Sequence, residues 1–177
     1  LNTRTPALGW GHINVNVSDL DASVAFYEKL GFSVFLPAIP YLGLTMGRDP
    51  APIPDASAEA LGLRPGARGR ACIMQLDEGF PKLDLTELAD HPEVSARTPG
   101  GPLQTMDRGL VRFCLFSTDL AGDHARLAAA GIDFLTPPRS CPDRLADIAL
   151  CRDPDGTLIE LIQVYLENWT LPAPEQD

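Results

Sequence analysis

The sequence is short of positive charge. Its 14 Lys and Arg stand against 24 Asp and Glu, a formal net charge of −10. Binding nucleic acid requires a basic face that neutralises phosphates, and none is present, so no nucleic-acid partner is expected. An anionic membrane surface is disfavoured for the same reason. No apolar run approaches the roughly 20 residues that cross a bilayer, and the opening LNTRTPALGW lacks the basic-then-apolar pattern of a secretory signal. The four cysteines, Cys72, Cys114, Cys141 and Cys151, show no C-x-x-C spacing. A disulfide framework is therefore not expected, and a cytoplasmic location is. Cys72 and Cys114 lie in apolar strand-like runs, where free cysteine is expected to behave as a small buried hydrophobe. The phosphate-cradling patterns GxxxxGK[ST] and GxGxxG are absent, and no Ser/His/Asp order stands out.

What remains is an ordinary globular composition: 177 residues, 45% hydrophobic, mean hydropathy −0.02. That size suits one compact domain. Within it lies a repeat. Residues 12–32, HINVNVSDLDASVAFYEKLGF, are echoed by residues 112–132, RFCLFSTDLAGDHARLAAAGI, at a constant offset of 100 without a gap. Asp19 falls on Asp119, Leu20 on Leu120, Ala25 on Ala125 and Gly31 on Gly131, whereas His12 falls on Arg112. This spacing is too long for a solenoid, so two half-domains sharing a core are expected.

Each copy reads as β-α-β-β-β. GHINVNVS alternates as a strand should, Ser18 or Asp19 can cap a helix striped by Leu20, Val24, Phe26 and Tyr27, and Gly31 can end it. Strands follow at FSVFLPA (32–38), RACIMQL (70–76) and KLDLTEL (82–88), the last two joined by DEGFP. The second copy has strands at 110–118, 132–136, 146–152 and 157–165, with a helix over 119–130 capped by Thr118 or Asp119 and ended by Gly131; DPDG is a strong turn between its last two strands. Module 1 spans 8–90, module 2 spans 107–168, and the polar stretch 89–108 links them. Residues 37–69, rich in proline and with a short helix possible at DASAEALGL, have no counterpart and are either a binding loop or a packing elaboration. The tail is expected to fray after Trp169.

With paired β-α-β-β-β units, GHINVNVSDLDASVAFYEKLGF near the start and DPDGTLIEL near the end, the chain resembles the vicinal oxygen chelate superfamily. That group includes glyoxalase I, fosfomycin-resistance proteins, methylmalonyl-CoA epimerases, extradiol dioxygenases and bleomycin-resistance proteins. The resemblance implies an α+β fold in which two tandem βαβββ modules form a cup-shaped mixed sheet with helices on its outer face. It also implies a homodimer and a small-molecule ligand, and, in metal-using members, ligands from the first and last strands of the modules. Carried onto this sequence, those positions are His12 and Glu160. In TLIELIQ, Glu160 shares a face with Leu158 and Ile162, and a carboxylate there needs a partner. The same alternation in KLDLTEL singles out Asp84, with Leu83 and Leu85 on the helix side; a one-residue difference between the hairpin loops leaves Glu87 as the alternative.

The resemblance thus implies a divalent metal (Fe, Ni, Zn, Mn or Co) on His12, Asp84 and Glu160. The sequence departs from the pattern at Arg112, where a histidine would be usual. Guanidinium offers only donors and stays charged, so Arg112 is expected to pair with Asp84 and Glu160 or to hold a ligand oxyanion. Two functions stay open. One is a glyoxalase- or dioxygenase-like lyase, isomerase or oxygenase with Glu160 and Arg112 as catalytic residues. The other is a metal-free drug-binding protein of the bleomycin-resistance type. Plainer readings stand beside these: His12 as a hydrogen-bonded lining residue, His124 as structural, His91 as solvated. Trp10, Phe35, Tyr41, Phe113 and Phe116 are either pocket aromatics or core.

Overall fold

A computed structural model describes residues 10–89, 104–106 and 108–170. The chain divides into two compact units, Leu1–Gly101 and Pro102–Asp177. Most of the linker, His91 and the tail after residue 170 lie outside the described residues.

Unit 1 contains β1 (His12–Asn16), α1 (Leu20–Lys29), β2 (Ser33–Leu36), β3 (Ala38–Ile39), β4 (Leu44–Thr45), β5 (Ala51–Pro52), α2 (Asp55–Ala60), β6 (Arg68–Gln75) and β7 (Lys82–Ala89). Its sheet runs β1-β7-β6-β2, with β1 and β7 parallel and the other neighbours antiparallel. Unit 2 contains β8 (Arg112–Phe116), α3 (Leu120–Ala129), β9 (Phe134–Ser140), β10 (Ala146–Arg152) and β11 (Leu158–Val164). Its order is β8-β11-β10-β9, again with the first and last strands parallel. The sequence repeat is thus a repeat of mixed-sheet topology, and the fold is α+β with tandem βαβββ modules.

The same local devices build both helices. Asp19 accepts a hydrogen bond from the Ala22 N–H and Asp119 one from the Gly122 N–H, both at 3.0 Å. The aspartate, not the preceding Ser18 or Thr118, is therefore the cap that satisfies an orphan N–H of the first turn. At the other end Gly31 and Gly131 take φ of +101° and +86°, a left-handed conformation in which a side chain would be strained. There the Phe32 and Ile132 N–H groups donate back to the carbonyls of Tyr27 and Leu127, closing each helix with a Schellman turn.

The apolar stripe of α1 is buried as expected: Leu20, Val24, Phe26 and Tyr27 lie in the core, with Tyr27 edge-on to Phe26 and Phe32 at 5.2 and 5.6 Å. Against it β7 presents Leu83 and Leu85. In unit 2, Leu120 and Leu127 are buried, as are Ile159 and Leu161. His124 is half-buried and its ring packs on Phe134 at 4.4 Å, the structural role expected of it.

Some boundaries move. The second strand of module 1 breaks into β2 and β3, and its counterpart β9 is displaced to Phe134–Ser140. Cys72 is fully buried, but Cys114 is exposed. Strand parity places Cys114 with Arg112 and Phe116 on the face away from α3, so the apolar run did not decide its burial.

Residues 37–69 fold into a body of their own on β6. The β3–β4 hairpin, β5 and α2 enclose Ile39, Leu42, Leu44, Ile53 and Ala58, which pack with Ala67 and Ala71 in one cluster. Arg70 fastens this body down. Its guanidinium is buried and donates to the Gly47 carbonyl at 2.6 Å, to Glu87 at 3.1 Å and to both Asp21 oxygens at 3.0 and 2.9 Å.

Candidate functional site

The register of the parallel strands settles which carboxylate corresponds to which. Asn14 lies beside Asp84 in unit 1, and Cys114 beside Glu160 in unit 2. Because residue 14 falls on 114 in the repeat, Asp84 and Glu160 are equivalent positions. Glu87, the alternative, lies on the opposite face: it accepts from the Leu20 N–H at 2.7 Å and pairs with Arg70. It is a helix-capping and fastening residue, and Gln163 does the capping at the same place in unit 2, accepting from the Leu120 N–H at 2.9 Å.

In unit 1, alternation puts His12, Asn14 and Asn16 of β1 on one face with Asp84, Thr86 and Leu88 of β7. These six form the floor of a cavity of ≈ 280 Å³. The body on β6 supplies its wall through Tyr41, Leu42, Ile53, Leu61 and Leu63. The stretch 37–69 is therefore a packing elaboration that also walls a cavity. Of the aromatics singled out from sequence, Tyr41 lines this cavity, whereas Phe35 lies against the Lys82 ammonium at 4.8 Å.

The polar floor is a connected set. Asn14 Nδ2 donates to Thr86 Oγ1 at 3.1 Å, and Thr86 Oγ1 donates to Asp84 Oδ1 at 2.9 Å. Asp84 Oδ2 lies 3.7 Å from His12 Nε2. Asp84 is 2% exposed, while the His12 side chain is 41% exposed and open to a ligand. Burial pushes the Asp84 carboxyl above its ordinary value; the Thr86 hydrogen bond, His12 and Asn14 oppose this without cancelling it. Tyr41 is raised too, first by burial and then by the charge of Asp84.

In unit 2 the same positions hold different chemistry. Arg112 Nε donates to Glu160 Oε2 at 2.5 Å, and Cys114 Sγ donates to Glu160 Oε1 at 3.7 Å. Phe116 stands where Asn16 does and is 79% exposed. Burial first, and the neighbouring Glu160 carboxylate, push the Cys114 thiol up to about 11, so it stays protonated at neutral pH. Asn14 and Thr86 were not singled out from sequence. Their signal was the alternation itself, His-x-Asn-x-Asn facing Asp-x-Thr.

The sequence profile of the Glyoxalase/Bleomycin resistance protein/Dioxygenase superfamily matches residues 9–161. The chain belongs to this superfamily. Solved structures agree on the fold. A glyoxalase family protein from Bacillus cereus is similar with a TM-score of 0.68 at 15% identity, over 92% of this chain and 97% of that one. A glyoxalase family protein from Enterococcus faecalis gives 0.54 at 22% identity, over 85% and 94%. TioX from Micromonospora sp. ML1 gives 0.52 at 16% identity, over 89% and 99%. No curated protein sequence matches significantly. Superfamily members bind small molecules and often form dimers. Among the described residues no helix is long and apolar enough to cross a membrane.

Superfamily members also typically use divalent metals. The expected donors, His12, Asp84 and Glu160, fit that use poorly here. Glu160 is neutralised by a charge-assisted bond to Arg112, and Asp84 holds a proton above its ordinary range with one oxygen on Thr86. Among the described residues no group of three or more His, Cys, Asp or Glu is placed to hold a metal ion. What the superfamily scaffold presents in unit 1 is an accessible imidazole 3.7 Å from a buried carboxyl, beside a cavity with an apolar wall.

Proposed function

We propose that this chain is a small-molecule enzyme of the superfamily, of the lyase or isomerase type, in which His12 transfers a proton and Asp84 positions it. The observation that carries the proposal is the His12–Asp84 pair on the cavity floor: one partner exposed to a ligand, the other buried and held by Thr86. Titratable groups perturbed by burial and paired in a cleft are the usual mark of acid–base sites. His12 takes a proton from a carbon or hydroxyl beside a carbonyl and returns it to a neighbouring atom. Asp84, in its ionised form and 3.7 Å from Nε2, stabilises the imidazolium formed during transfer. Asn14, whose amide N–H donates to Thr86, turns its carbonyl oxygen to a substrate hydroxyl.

Arg112 and Glu160 have a separate role in this proposal. They neutralise each other, leaving the outer guanidinium N–H groups of Arg112 to hold a ligand oxygen in unit 2. A homodimer in the cytoplasm belongs to the same reading, supported by the superfamily's frequent dimers and by four unbridged cysteines.

The test is turnover of a panel of hydroxyketones, 2-oxoaldehyde–thiol adducts and diphenols by wild type, His12→Gln and Asp84→Asn, with folding checked by circular dichroism. Loss of a general acid–base group lowers kcat by about 100-fold or more, so His12→Gln is expected to lose that much and Asp84→Asn less. Equal turnover in wild type and His12→Gln sinks the proposal. Tight ligand binding with no turnover of any compound marks a binding protein instead.

A further inference from the structure

The cavity wall and floor carry an uneven set of charges. Its lining holds one carboxyl, Asp84, and neither Lys nor Arg among the described residues. The nearest cation on the same strand face, Lys82, is turned away: its Nζ donates to Gln75 Oε1 at 3.0 Å and to the Asp77 carbonyl at 2.8 Å, and lies over the Phe35 and Phe80 rings. Arg70 is engaged by Asp21, Glu87 and the backbone of residues 46–47. A carboxylate or phosphate entering this cavity meets a carboxyl and no permanent cation, His12 being its sole basic group among the described lining residues, and it approaches a protein of net charge −10. An ammonium fares little better. Asp84 is 2% exposed and its Oδ1 is on Thr86, so an ammonium would give up most of its hydration for one recessed carboxyl. The rest of the surface offers amide, hydroxyl and imidazole groups on the floor and leucines on the wall.

We infer that the unit 1 cavity selects an uncharged ligand, an apolar ring or alkyl body bearing carbonyl or hydroxyl oxygens, and excludes carboxylated and phosphorylated compounds. The inference rests on reading this cavity as the substrate site, and it narrows the substrate to neutral ketones, hydroxyketones or related oxygenated molecules. The oxygens meet His12, Asn14 and Thr86, while the body lies against Leu61 and Leu63.

The test uses probes that share one naphthalene body: 2-acetonaphthone, 2-naphthoate, 2-naphthyl phosphate and 2-naphthylmethylammonium, titrated calorimetrically into the full chain at about pH 8. The ketone is expected to bind at least tenfold more tightly than any charged probe. Leu61→Arg, at a side chain already 55% exposed and therefore tolerant of the change, supplies the missing cation and is expected to move the preference at least tenfold toward naphthoate. Leu61→Trp, which fills the cavity mouth, is expected to weaken ketone binding. A charged probe binding within threefold of the ketone, no shift in Leu61→Arg, ketone binding unaffected by Leu61→Trp, or binding of none of the four overturns the inference. His12→Gln separates the two proposals. Neutral preference retained without His12-dependent turnover leaves this inference standing and removes the catalytic one; charged probes bound in the cavity alongside His12-dependent turnover do the reverse.

Discussion

The two units share strand order, helix caps and closing glycines, yet their equivalent side chains diverge on both faces of the sheet. On the helix face, Glu87 and Gln163 both cap the N-terminus of a helix. Only Glu87 is charged, and only it stands across the ladder from an arginine, Arg70; Gln163 stands across from Asp147. Capping requires an acceptor oxygen, which an amide supplies as well as a carboxylate. The extra charge in unit 1 therefore serves the other task, holding residues 46–47 through Arg70. On the opposite face His12, Asn14 and Asn16 are replaced by Arg112, Cys114 and Phe116, and Asp84 by Glu160. Unit 1 has a walled cavity over a hydrogen-bonded floor, and unit 2 has an ion pair at the equivalent positions. The lesson is that the repeated positions build the scaffold, and the positions that break the repeat give the two units different chemistry.

Four measurements can break or sharpen this contrast. The largest effect is expected from Arg70→Met, which strands Glu87 and frees the wall. Breaking a buried pair costs about 3 kcal/mol, and a denaturation curve showing less than about 1 kcal/mol would mean that the wall is held by its own core alone. Next, His12→Arg imports the unit 2 residue into unit 1 and places guanidinium beside Asp84. Turnover is expected to fall about 100-fold, since guanidinium cannot accept a proton; retained activity would erase the functional difference between the floors. Third, a double-mutant cycle on Arg112→Ala and Glu160→Ala is expected to give a coupling of about 1 kcal/mol, discounted because the Arg112 side chain is 38% exposed. A coupling near zero would reduce the pair to a surface contact.

The smallest effect concerns pH. Because the Asp84 carboxyl is raised in the folded chain, the folded state holds this proton more tightly than the unfolded one. Its contribution to stability is complete below the ordinary value of 3.8 and is lost as pH rises through the raised one. Asp84→Asn is therefore expected to flatten the stability profile across the acid range, with the wild type losing ground to the variant as pH rises toward neutrality. An identical profile for wild type and Asp84→Asn would remove Asp84 as a perturbed group.

Much of the fold was legible because the repeat carried it. Asp19 and Asp119, Gly31 and Gly131 and the apolar stripe of α1 announce two copies of one unit through local rules that act within a few residues. Asp84 and Glu160 were legible as polar interruptions of apolar strands. What stayed hidden depended on longer-range facts. Choosing between Asp84 and Glu87 required the register Asn14–Asp84, which a one-residue loop difference obscures. The exposure of Cys114 required knowing which face of β8 is covered. Residues 37–69 have no hydrophobic period to read, because short strands and proline turns leave none, and their contribution of Tyr41 and Leu63 to the cavity arises only on packing.

The insertion's separate cluster of Ile39, Leu44, Ile53 and Ala58 has an evolutionary consequence. A wall that packs mostly on its own residues, meeting the sheet at Ala71, Ile73 and Leu88, can drift in sequence with little disturbance to the positions of His12 and Asp84. Under the proposed function, substrate range and proton chemistry become traits that selection can alter one at a time: leucines at 61 and 63 can be exchanged to suit a new molecule while the imidazole beneath them is kept.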